Sequence, residues 1–193
     1  MFLAEGFEDA EAVCAIDVLG WTHYRPTVAT VTLDITGLRE IIHGAFGTAI
    51  PANVAIDKVN PDCYDALIVP GGFHNRGFDE AYDERLRSLA RAFHEDDKPI
   101  ATMCVGVLPV AEAGVLEGGE AATYALSSRH DNPGRLRELD CAPSAEPVVE
   151  HDGIISCTGP AFSGDVMQRL LALLVGPEAA AEVARYRRGL DLQ

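Results

Sequence analysis

Two apolar runs constrain the fold of this chain more than any other feature. Ala66-Leu67-Ile68-Val69 and the largely apolar Pro99 to Met103 each end at once in a turn signal, Pro70-Gly71-Gly72 and Cys104-Val105-Gly106. A strand with one wet face alternates apolar and polar residues, whereas a strand covered on both faces can be apolar throughout. Helical spacing follows each run, with Leu86, Leu89, Ala90 and Phe93 after the first and Leu108 to Ala113 after the second. Thr27 to Leu33, rich in β-branched residues, and Gly153 to Cys157 read as further strands. Asp9 is expected to cap a helix to about Gly20 with Val13, Ile16, Val18 and Leu19 as its apolar positions. Val166, Leu170, Leu173 and Leu174 line another helix, and residues 36–56, broken by glycines and Pro51, suggest small edge strands or a hairpin. Met1 to Ala4 reads as the last part of a strand; four residues are short for a central one, so the natural beginning is expected to be missing. Strands alternating with helices predict an α/β sandwich with a mostly parallel sheet.

The 193 residues suit one domain, 1–193, with a full core, and no linker or repeat divides them. A net charge of -15 argues against nucleic acid and anionic membrane as partners, because phosphate binding needs clustered Lys and Arg and the run Arg185 to Arg188 is short. No apolar stretch approaches the ~18 residues of a membrane span, and the first residues have neither the basic nor the apolar region of a signal peptide. Five cysteines, scattered at 14, 63, 104, 141 and 157, show no metal-ligand spacing and imply free thiols in a reducing cytoplasm. Cys14 and Cys157 are expected in the core, and Cys63 and Cys141 in loops.

Cys104 carries the chemistry. A residue between a strand and the helix after it can be forced into a strained corner that exposes its side chain. The helix dipole and free backbone N–H groups there would favour thiolate over thiol. In parallel sheets ligands gather beyond the carboxyl ends of the strands, where Cys104 and Gly71-Gly72 both fall. The acidic stretch Glu5 to Glu11 lies at the same edge. Glu8 and Asp9 read as a solvated helix start, whereas Glu11, one turn in, points back toward the strand ends. Beside a thiolate its carboxyl would be pushed toward the protonated form and could pass a proton to substrate. The N–H groups of Gly71, Gly72 and Val105 could form an oxyanion hole.

In order and spacing, Gly6 to Glu11, Leu67 to Gly72, Ala101 to Gly106 and Gly153 to Pro160 resemble the ThiJ/PfpI family over nearly the whole chain. The resemblance implies a flavodoxin-like three-layer α/β/α sandwich related to class I glutamine amidotransferases, usually a homodimer, with Cys104 as nucleophile and Glu11 as its partner. It also implies that Gly71, Gly72 and Val105 bind the oxyanion and that the loop Thr158-Gly159-Pro160 lies close to the site. Two departures bear on activity. Val105 stands where the peptidase-like and chaperone-glyoxalase branches have a His after the nucleophile, and Tyr124 stands where another branch has a His in the strand after the nucleophile helix.

A Tyr hydroxyl can donate to a bound carbonyl but is a poor base at neutral pH. His74 is the leading substitute imidazole and His130 the second. The best reading is a cytoplasmic enzyme without metal or other cofactor. Its Cys104 thiolate, assisted by Glu11, Tyr124 and His74, adds to a small electrophile in glyoxalase- or deglycase-like, hydratase-like or hydrolase-like chemistry. The alternatives are a redox sensor that uses oxidation of Cys104, a weak cysteine peptidase and a binding subunit with a dead site.

Overall fold

The structure is a computed structural model that describes residues 1–189. The helix α1 (Asp9–Gly20) follows a short extended segment, Met1 to Ala4. A hairpin of β1 (Ile41–His43) and β2 (Ala49–Pro51) comes next, and then β3 (Leu67–Val69), α2 (Glu84–Glu95) and β4 (Ile100–Thr102). The chain turns through Cys104 into α3 (Val107–Ala111), and continues through β5 (Glu120–Ala121), α4 (Asn132–Glu138), β6 (Ala142–Pro143), β7 (Val148–His151) and β8 (Ile154–Cys157). It closes on α5 (Ser163–Val175) and α6 (Pro177–Arg188).

The central sheet runs β3-β4-β8-β7, with β3, β4 and β8 parallel and β7 antiparallel at the edge. The N-terminal segment extends it on the other side. Phe2 N–H donates to Ile68 O at 2.9 Å and Leu3 N–H to Thr36 O at 2.8 Å. Successive side chains point to opposite faces of the sheet and feed two cores. Leu67, Val69 and Ile100 pack with α2 and α3, whereas Ile68, Ala101, Met103 and Ile155 pack with α1, α5 and α6. This is the three-layer α/β/α arrangement, flavodoxin-like, that the continuous apolar strands require.

Several local expectations change. Thr27 to Leu33 forms no ladder; it runs past a cavity of about 870 Å³ at the amino edge of the sheet, lined in part by Val31, Leu33, Leu19 and Leu170. On α1, Val13 (47 % exposed) and Ile16 face outward, while Ala12, Ala15, Val18 and Leu19 face the core. Glu8, not Asp9, caps that helix, accepting from Ala10 N–H at 3.4 Å. Asp9 instead reaches across to accept from the N–H groups of Phe46 and Thr48, each at 2.9 Å. Cys141 is buried rather than a loop thiol, and Cys14 is only half-buried. The terminal helix α6, rich in Ala, Glu and Arg, was not anticipated because its apolar positions are few. Among the described residues no helix is long and apolar enough to cross a membrane.

Candidate active site

The carboxyl ends of the N-terminal segment, β3, β4 and β8 meet at one edge. There the chain turns sharply four times, at Gly6, Gly71, Cys104 and Gly159. Cys104 has φ 54°, in the left-handed region that a non-glycine residue rarely occupies. Holding it there costs on the order of 1–3 kcal/mol, which the surrounding packing must supply. Two contacts hold the corner. Thr123 Oγ1 donates to Cys104 O at 3.1 Å, and Gly71 packs against the corner so closely that no side chain fits. A Cβ on Gly71 would stand 2.8 Å from Met103 O and 2.9 Å from Cys104 Cβ. The glycine is therefore required by close approach and not by its backbone angles.

Glu11 is fully buried one turn into α1, which aims it at this corner. Gly71 N–H donates to its Oε2 at 2.7 Å, and its Oε1 is buried without a partner. Burial pushes the carboxyl up to about 8, against the pull of the Gly71 hydrogen bond, so Glu11 holds its proton at neutral pH. The Gly71 N–H is accordingly engaged with Glu11 and not free for an oxyanion. Glu8, expected in solvent, is also buried, lines the cavity, and is raised mainly by burial. No feature of its spacing separates it from an exposed first-turn acid; only the folded edge of the sheet does.

Cys104 departs from expectation in its electronics. Burial, and then the charge of Glu11, push its thiol up, opposed by a hydrogen bond from Val105 N–H. The helix meant to stabilise a thiolate is short: a single 3₁₀ turn over Cys104–Gly106 and then the five residues of α3. A dipole of that length cannot offset desolvation. The resting sulfur is a thiol with a backbone donor already aimed at it.

Cys104 opens into a cavity of about 490 Å³. Val105, Gly72, Tyr124 and Pro160 line it, as do both imidazoles singled out in the sequence, His74 and His130. The His74 and His130 rings lie 4.5 Å apart, and His74 Nδ1 is 2.6 Å from Asp79 Oδ1. If Nδ1 carries the proton toward Asp79, Nε2 is left as the acceptor, the tautomer a base needs. Tyr124 lies beyond β5 and not within it, 37 % exposed, its carbonyl tied by Asn132 Nδ2 at 2.7 Å. Gly159 sits behind the wall; its carbonyl accepts from the buried Cys157 thiol at 3.4 Å. Thr123 and Asn132 position the site and carry no signal in the sequence. Among the described residues no group of three or more His, Cys, Asp or Glu converges as a metal would need.

A family model described as the DJ-1/PfpI family matches residues 1–173. Deglycase PfpI of Pyrococcus furiosus is 30 % identical over 122 residues, 63 % of this chain and 68 % of that protein. Protein SERP1413 of Staphylococcus epidermidis is 31 % identical over 179 residues, covering 89 % of this chain and 96 % of its own. The solved structure of oxidized DJ-1 from Toxoplasma gondii superposes with a TM-score of 0.80 at 21 % identity, covering 96 % of this chain and 95 % of that one.

Proposed function

The chain belongs to the DJ-1/PfpI family, and from that premise we propose that it is a cysteine-dependent enzyme acting on small reactive carbonyl compounds. The observation that carries the reading is Cys104, strained at positive φ and opening into a cavity that holds the imidazole of the His74–Asp79 pair, with the proton-bearing carboxyl of Glu11 buried behind the sheet edge. The Cys104 sulfur adds to an aldehyde carbon, forming the C–S bond as its proton passes to His74 Nε2. The oxygen of the former carbonyl takes the proton of Glu11 while the N–H groups of Gly72 and Val105 and the Tyr124 hydroxyl steady it. With an α-oxoaldehyde, the hemithioacetal then loses its carbon-bound proton to a base. The enediol is reprotonated on the neighbouring carbon, and water releases the 2-hydroxy acid from the thioester. The hydratase-like and hydrolase-like variants share the first step. The proposal includes the homodimer that the family resemblance implies, which light scattering tests.

A weak peptidase activity is the second reading, favoured by the His74–Asp79 pair, which restores the imidazole that Val105 displaces. The size of the cavity favours small substrates over a polypeptide. A redox-sensing role is disfavoured by the raised thiol, since peroxide attacks thiolate. Turnover of methylglyoxal by the wild type, Cys104→Ala and His74→Asn decides. Activity falls to background in the first variant and by roughly 10- to 100-fold in the second. Equal turnover in wild type and Cys104→Ala would remove the proposal.

A further inference from the structure

The cavity above Cys104 is electrically two-sided. At its floor lie Cys104 and Glu8, with the carboxyl of Glu11 buried behind them. Its wall on the other side comes from two loops, one after β3 and one before α4, and it contributes His74, His130 and Arg129. Asp79 is bound to His74, Asp131 Oδ1 accepts from Gly134 N–H as the cap of α4, and Glu8 lines the floor opposite. Arg129 forms no ion pair with another described residue, in a chain where Arg39, Arg85, Arg87, Arg91 and Arg135 all sit on carboxylates. The chain has 30 acidic residues against 15 basic ones, so an arginine and two neighbouring imidazoles on one wall of a cavity are not a consequence of composition. Ser127 keeps the loop in shape, its Oγ accepting from the N–H groups of both Arg129 and His130 at 3.3 and 3.1 Å.

We propose that the substrate is bipolar: an α-oxoaldehyde whose far end bears an anionic group, carboxylate or phosphate, received by Arg129, His130 and His74 while its aldehyde carbon meets Cys104. The inference rests on the carbonyl chemistry proposed above and adds the specificity of the same site. For a carboxylate tail the balanced reaction is that of 4,5-dioxopentanoate with one water, giving 2-hydroxyglutarate. The aldehyde carbon is oxidised to the acid and the neighbouring ketone is reduced to the alcohol, so no external oxidant or reductant takes part.

The test compares kcat/KM for 4,5-dioxopentanoate with that for methylglyoxal, which has the same reacting end and no charge, in the wild type and in Arg129→Gln. A charge-assisted pair predicts a preference for the anionic aldehyde of roughly 10- to 100-fold. Raising the ionic strength shrinks that preference, and Arg129→Gln removes most of it. A phosphate-bearing oxoaldehyde, 3-phosphonooxypyruvaldehyde, tells which tail is preferred; a preference for either supports the inference. Equal or better turnover of methylglyoxal, or a preference that Arg129→Gln leaves untouched, overturns it while the Cys104 chemistry stands. If no aldehyde is turned over through Cys104, both readings fall.

Discussion

The two edges of the central sheet each hold a cavity, and the larger one is at the wrong end for chemistry. At the amino edge about 870 Å³ is enclosed between residues 29–34 and α5, with Leu19, Leu33, Leu170 and Leu174 among its walls. At the carboxyl edge about 490 Å³ lies over a strained cysteine, two buried acids and two histidines. The difference follows from the direction of the strands. At their carboxyl ends the chain must turn into a helix at once, which forces positive φ at Cys104 and close backbone approach at Gly71. At their amino ends the chain also turns tightly, with Asp97 (φ 54°) ahead of β4 and Asp152 (φ 47°) ahead of β8, but these residues carry no nucleophile. Volume points to the first edge; a cysteine at positive φ beside buried carboxyl groups points to the second.

Substitutions at the two edges sharpen this contrast. Gly71→Ala places a methyl group against Met103 O and Cys104 Cβ and displaces the corner. Turnover is expected to fall by at least about 100-fold, with a stability cost of roughly 1–3 kcal/mol. Leu170→Ala at the amino edge, a fully buried side chain, is expected to cost about 2–5 kcal/mol in urea unfolding and to leave turnover per folded molecule intact. Comparable losses of turnover in both variants would break the comparison. A smaller effect concerns Glu11. Its carboxyl is raised from 4.5 to about 8 in the fold, so the folded chain holds more protons than the unfolded one between those values. Stability is therefore complete below about pH 4.5 and declines, by up to a few kcal/mol, as pH rises toward 8. Glu11→Gln is expected to flatten that decline in urea midpoints measured from pH 5 to 9. An unchanged slope would place the titrating group elsewhere.

The layer order was legible because β3, β4 and β8 are short apolar runs ending in turn residues, a pattern no wet-faced strand produces. The place of the candidate site in the fold was legible for the same reason: Gly71 and Cys104 close two such runs. What was not legible depends on neighbours distant in sequence. Thr27 to Leu33 has the β-branched composition of a strand, yet pairing needs a partner at the right distance, and composition does not supply one. Val13 and Ile16 look like core positions, but α1 turns Ala12 and Ala15 inward instead, because small side chains let the helix lie close to α5. The state of the Cys104 thiol was misread because the sequence gives the position of a helix start but neither the length of the helix nor the depth of burial.

The protonation state of the Cys104 sulfur decides how the site works. The pH dependence of its alkylation by iodoacetamide, followed by peptide mass spectrometry with the exposed Cys63 as internal reference, tests it directly. The site described here predicts that Cys104 reacts more slowly than Cys63 at pH 7 and gains rate only in alkaline solution. Full reactivity of Cys104 at pH 7, level through neutrality, would contradict the protonated resting state and restore a standing thiolate.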